Sequence, residues 1–111
     1  MANTFKRKFS ANIGTSPTTI GAYTVGASTA TTIIGLSMSN VSASPVTVTA
    51  ELVDTGANVT RIIKDAPLPI GGALVVVGGD QKIVLETGDF IRVTSSAASS
   101  VDVIMSILEI T

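Results

Sequence analysis

Apolar side chains recur at every second position along much of this chain, the repeat of a β-strand with one face turned to a core. The clearest case follows Pro45: Val46, Val48, Ala50 and Leu52 alternate with Thr47, Thr49, Glu51 and Val53, and Asp54-Thr55-Gly56 ends the run. A strand is expected from about Ala30 to Asn40, with Ile34, Leu36 and Met38 on one face. A shorter one is expected around Thr19 to Val25, with Gly26 and the small polar residues after it as the turn between them. At the N-terminus Phe5, Phe9, Ala11 and Ile13 share one parity, interrupted by Arg7, while Lys6, Lys8, Ser10 and Asn12 share the other. That spacing predicts a strand that lays two phenylalanines on something, not a loose tail.

Further along, Val59 to Lys64 leads into Asp65-Ala66-Pro67-Leu68-Pro69, where two prolines block both a helix and pairing as a central strand. Ala73 to Val77, Lys82 to Leu85 and Phe90 to Thr94 are each of strand length, separated by Gly78-Gly79-Asp80 and Thr87-Gly88-Asp89, turns that tolerate positive φ, and hairpin turns account for the glycines from Gly71 to Gly79. Phe90 has the opposite parity from Ile91 and Val93, so it needs cover from a satellite cluster of the same subunit or from a neighbour. In the last strand Val103, Met105 and Ile107 face one way and Ile104, Leu108 and Ile110 the other. A strand apolar on both faces implies cover on both sides, by the core and by another subunit. No segment carries a helical stripe and no solenoid repeat recurs. Eight or nine short strands predict an all-β fold over 1–111, one antiparallel two-layer β-sandwich, jelly-roll-like or Greek key. Residues 1–13 are its basic N-terminal arm or strand. Threonine and serine, about a quarter of the chain, suit such a sheet because threonine is β-branched and still hydrates.

Composition turns this picture toward assembly. The chain has 111 residues, 45% of them apolar and only 14% charged, with a mean hydropathy of +0.55. A domain this small buries about two thirds of its unfolded surface, which leaves more apolar surface than one core hides. The surplus implies subunit interfaces and hence a homo-oligomer or a larger assembly. A membrane span needs about 20 consecutive apolar residues, and the longest run, Ala73 to Val77, is far shorter. Lys6, Arg7 and Lys8 are followed by polar residues and Pro17, with no apolar signal-peptide core, so the protein is expected to stay where it is made.

Absent residue types exclude much chemistry. With no cysteine there are no disulfides or thiolate metal sites, and with no histidine the commonest general base and metal ligand is missing. Asp80, Asp89 and Glu86 would offer oxygen ligands to a calcium ion, but Asp after Gly is more simply a turn residue, and no closely spaced carboxylate run is present. Gly71 to Gly79 lacks the Lys-Ser/Thr ending and the following helix of a phosphate loop. Aromatic rings for stacking sugars or bases are few: Tyr23, Phe5, Phe9 and Phe90, with no tryptophan. The expectation is a protein that is not an enzyme and needs no cofactor.

Net charge is −1, but three of the seven basic residues are Lys6, Arg7 and Lys8, so four face eight acidic ones in the remainder. Between Phe5 and Phe9 this small basic patch points to docking on protein, with nucleic acid disfavoured. The expected contact surfaces are therefore the arm, Phe5, Lys6, Arg7, Lys8 and Phe9, together with Phe90, and Val103, Met105, Ile107, Leu108 and Ile110 of the last strand.

Two stretches carry a resemblance. One runs from Pro67-Leu68-Pro69-Ile70-Gly71-Gly72 through Leu85-Glu86-Thr87-Gly88-Asp89-Phe90-Ile91-Arg92-Val93 to Ala98 and finishes in Ile107-Leu108-Glu109-Ile110. The other is the opening Ala2-Asn3-Thr4-Phe5-Lys6-Arg7-Lys8 with Asn12-Ile13-Gly14-Thr15. Together they cover most of the chain, which resembles small virion structural proteins of tailed bacteriophages, especially those infecting marine cyanobacteria. The resemblance implies a subunit that decorates or cements the capsid or sits at the neck or tail, assembled in the host cytoplasm among other virion proteins. It carries over no catalytic residues. A module recognising host-surface glycans or proteins is the alternative.

Overall fold

Period-two patterning becomes strand over most of its length in the computed structural model, which describes residues 2–78 and 80–111. In chain order the elements are β1 (Asn3–Ile13), β2 (Thr18–Thr19), a 3₁₀ turn (Ile20–Ala22), β3 (Ala30–Asn40), β4 (Val46–Val53), β5 (Val59–Leu68), β6 (Ala73–Val77), β7 (Ile83–Leu85), β8 (Phe90–Ser95) and β9 (Val101–Ile110). One sheet has the order β1-β9-β3-β6, with β7 also on β3, and the other the order β2-β8-β4-β5. All pairings are antiparallel. The fold is the all-β, two-layer antiparallel sandwich that the alternation implies.

Its core lies between the two inner faces. Ile33, Leu36 and Met38 of β3 and Val101, Val103, Met105 and Ile107 of β9 meet Val46, Val48 and Ala50 of β4 and Ile91 and Val93 of β8. Most connections cross from one sheet to the other, as in a jelly roll, and β4–β5 is a true hairpin. Its turn is organised by Asp54, whose Oδ1 accepts from the backbone N–H groups of Gly56 and Asn58 at 2.9 Å each. The bonds from Asn58 are the main reason the Asp54 carboxyl is held below its ordinary range. Asn40 pins the β3–β4 crossing: its Nδ2 donates to the carbonyls of Ser44 (2.9 Å) and Leu68 (3.0 Å), and its Oδ1 accepts from Ser42 N–H (2.8 Å). A buried amide is thereby satisfied on both sides.

Four local expectations need correction, each for a backbone reason. The strand around Thr19 to Val25 shrinks to Thr18–Thr19, because Gly21 (φ 58°) and Ala22 (φ 53°) turn the chain and drop Ile20, Tyr23 and Val25 into the core at uneven spacing. In β3 the register with β9 shifts between Ile33 and Gly35, a bulge that puts Ile33, not Ile34, on the inner face with Leu36 and Met38. At Asn12 (φ 56°) a similar irregularity between Ser10 and Ile13 turns Ile13 inward, onto the face opposite to Phe5 and Phe9. Asparagine tolerates this left-handed conformation better than most residues.

The fourth correction concerns Gly78-Gly79-Asp80. β6 and β7 both run antiparallel to β3 and follow one another along it, Leu36↔Val77 being succeeded by Ile33↔Ile83. The segment between them interrupts one edge and does not reverse the chain; Gly79 itself lies outside the described residues. Proline behaves as expected: Pro67 lies in β5, which pairs only with β4, where a missing N–H costs no ladder bond on the open side.

Candidate assembly interface

The inner face of β1 is polar and is used within the chain. Lys6 Nζ lies 2.8 Å from Glu109 Oε1, Lys8 Nζ stands 5.2 Å from the Tyr23 ring centroid, and Ser10 Oγ accepts from Gly21 N–H at 2.8 Å. Tyr23 Oη donates to Glu109 Oε2 (2.6 Å) and shares a hydrogen bond with Thr31 Oγ1 (2.8 Å). Burial first, and then the Glu109 bond, push the Tyr23 phenol up to about 12. The bond from Lys6 first, and then that from Tyr23, hold the Glu109 carboxyl below its ordinary range. This network fastens the basic strand to its own sandwich. Lys6 and Lys8, expected to meet a partner, make these contacts within the chain.

Cross-strand register then decides what the opposite face of β1 presents. Phe5 is paired with Leu108, Arg7 with Ser106 and Phe9 with Ile104. Across β9 and β3, Ile104 is paired with Ser37 and Leu108 with Thr32, and beyond β3 Ser37 is paired with Val75 and Thr32 with Val84. Two apolar rows therefore cross the outer face of the five-stranded sheet, Phe9–Ile104–Ser37–Val75 and Phe5–Leu108–Thr32–Val84. Phe5, Phe9, Ile104, Val75 and Val84 are between 56% and 75% exposed, and they make up most of the large hydrophobic residues on the described surface. A concentration of exposed apolar side chains of this kind on one face of a small domain marks an interaction surface.

The expected contact residues sort cleanly on this geometry. Phe5, Arg7, Phe9, Leu108 and Ile110 share the outer face of the five-stranded sheet. Val103, Met105 and Ile107 do not: all three are buried in the core, since β9 is central in its sheet and its inner side chains meet the other sheet. Phe90 lies on the far side of the molecule, on the outer face of the four-stranded sheet beside Val53, which is paired with Phe90 on one side and Val59 on the other. Val53 is only 4% exposed although it stands outside the main core, so this row forms a satellite cluster within the subunit. Val75, Val84 and Ile104 were missing from the expected set. The signal for Val75 was the unbroken run Ala73 to Val77, whose lack of polar alternation means an apolar side chain on each face, and that for Ile104 was the second apolar face of the last strand.

Little else on the surface is organised for chemistry. Asp89 Oδ2 accepts from Glu86 N–H at 2.9 Å, which makes it a turn residue, and Asp80 is exposed. No three potential metal-binding side chains converge among the described residues. A hollow of about 550 Å³ is bordered by Ser28, Thr29, Ala30, Glu86, Thr87, Ile110 and Thr111, where Glu86 is the one titratable side chain. No helix among the described residues is long and apolar enough to cross a membrane.

No known protein family matches the sequence, and no curated protein matches it. Solved structures do share the fold. A chain from the work titled "Bacillus endospore appendages form a novel family of disulfide-linked pili" aligns over 100% of this chain and 91% of its own, with a TM-score of 0.55 at 13% identity. A chain of the infectious bursal disease virus Gx strain aligns over 96% of this chain with a TM-score of 0.53 at 10% identity, this chain spanning 36% of its length. At such identities the likeness establishes the sandwich fold.

Proposed function

We propose that this chain is a structural subunit of a virus particle, that of a tailed bacteriophage, where it decorates or cements the capsid or sits at the neck or tail. The observation that carries the reading is the apolar outer face of the five-stranded sheet, a surface a free monomer has no use for. The sequence resemblance to small phage virion proteins supplies the kind of particle. That the same fold serves in a pilus and in a virus accords with a building-block role. The pilus neighbour is described as disulfide-linked, whereas this chain has no cysteine, so its cohesion comes from buried surface. No catalytic activity is assigned to it.

Quantitative protein identification in purified particles tests the reading. The chain should be present at a fixed ratio to the major shell protein, a high ratio meaning decoration and a low one neck or tail. Its absence from washed particles would remove the proposal. Ile104→Ser should lower incorporation at unchanged expression, because it removes the centre of the apolar face without touching the core.

A further inference from the structure

The outer face of the five-stranded sheet has relief as well as apolarity. Along β9 its outward positions are Asp102, Ile104, Ser106, Leu108 and Ile110. The Ile104 and Leu108 rows are ridges of large side chains on β1, β9 and the β6–β7 edge, dipping at Ser37 and Thr32 of β3. Between them lies the row Arg7–Ser106–Gly35, low at Ser106 and Gly35 with the bulge residue Ile34 beside them on β3, and beyond Ile104 the row Asp102–Ser39–Ala73. Two ridges thus alternate with two troughs. Arg7 and Asp102 are the charged side chains that the described strands put on this face, so its net charge is zero. Among the described residues Arg7 forms no ion pair, and a hollow of about 270 Å³ opens between Arg7, Phe9, Ala11, Asp102 and Ile104.

We propose that this face closes on the same face of a second copy, about a two-fold axis lying in the interface across the strands, midway between the Ile104 and Ser106 rows. It rests on the reading of the face as a contact surface and names what covers it. Such an axis exchanges the Ile104 row with the Ser106 row and the Leu108 row with the Asp102 row. Each ridge of one copy then enters a trough of the other, the interdigitation by which stacked sheets pack about 10 Å apart. The same operation lays the Arg7 guanidinium over the Phe9 ring of the other copy, a favourable cation–π pairing. It also brings Arg7 within roughly one row and one strand spacing, about 7 and 5 Å, of the other copy's Asp102. Every contact occurs twice, as an isologous interface requires. Four rows about 6.7 Å apart across four strands about 4.8 Å apart give about 500 Å² in plan per copy. The pair buries about 1,000 Å² before side-chain relief is counted, the lower bound for a biological interface.

The register makes a prediction that mere stickiness does not. Ser106→Phe adds apolar surface to the face but fills the trough that the neighbour's ridge needs. Sedimentation velocity on the full chain over a concentration series should show a dimer for the wild type. Dissociation should be at least about tenfold easier for Ser106→Phe and for Arg7→Glu, with thermal melts confirming that both remain folded. A wild type that stays monomeric, or a Ser106→Phe chain that dimerises as well or better, would overturn the proposal. Should Ser106→Phe fail to fold, Arg7→Glu alone decides, since Arg7 makes no ion pair among the described residues. A monomeric wild type whose Ile104→Ser variant is lost from particles would leave the contact-surface reading standing and the self-association rejected. A monomer whose Ile104→Ser variant incorporates normally would reject both.

Discussion

The two outward faces of the sandwich are built from the same kind of strand and end up with opposite characters. On the four-stranded sheet the outer row Arg61–Glu51–Arg92 is a cross-strand charge triad, with Arg92 Nε 2.7 Å and Arg61 Nε 3.4 Å from the Glu51 carboxylate oxygens. Thr49 and Thr94 are paired beside it, and the apolar row Val59–Val53–Phe90 covers its own centre. On the five-stranded sheet the corresponding rows leave Phe5, Phe9, Ile104, Val75 and Val84 exposed, with Leu108 half-buried among them. One face is covered by the chain's own side chains; the other leaves its large apolar side chains exposed. The lesson is that hydrophobic surplus in a composition becomes informative once its location is known, because here it is gathered on one face and not scattered.

The contrast can be broken or sharpened at several points. The largest effect should come from β9, where the inner and outer side chains of one strand have different fates. Ile107→Ala should destabilise the isolated subunit by about 2–5 kcal/mol, the usual cost of a cavity at a fully buried aliphatic residue, read by chemical denaturation. On the polar face, Glu51→Ala should cost about 1–3 kcal/mol by leaving Arg92 half-buried without its acceptor. The Tyr23 phenol is raised above its ordinary 10.0, so its contribution is complete below pH 10 and lost as the pH rises through about 12. Melting temperature should therefore fall across that window in the wild type and fall less in Tyr23→Phe. Glu109, depressed, contributes above its ordinary 4.5 and loses that contribution as the pH drops through its lower folded value, a loss that Glu109→Gln should remove. The smallest stability change, within about 0.5 kcal/mol, is expected for Ile104→Ser, because an exposed position has little to lose within the subunit. A large loss of stability there would erase the distinction between the two faces.

How much of this was readable in the chain depends on whether a strand's environment is announced by its own residues. β3, β4 and β6 were placed at their true boundaries, because alternation and flanking turn residues are local signals. Ile13, Ile33 and the Thr18–Thr19 strand were misplaced, because a bulge or a pair of positive-φ residues shifts parity by one without a reliable mark in the pattern. Of the expected contact residues, Phe5, Arg7, Phe9, Leu108 and Ile110 stand on the outer face of the sheet, whereas Val103, Met105 and Ile107 lie in the core. An apolar strand with two greasy faces says that both are covered and not which one is covered by what.

The sequence by itself determined an all-β chain of short alternating strands, with no cysteine or histidine and more aliphatic side chains than one small core needs. The tertiary structure decided which way β1 faces, turning Lys6 and Lys8 toward Glu109 and Tyr23 and leaving Phe5 and Phe9 outside. It also joined residues from β1, β9, β3, β6 and β7 into one apolar surface. The reason is that period two divides a strand into two faces but is unchanged when they are exchanged. Only pairing with distant strands, and the polar network that forms across them, settles which face the core takes.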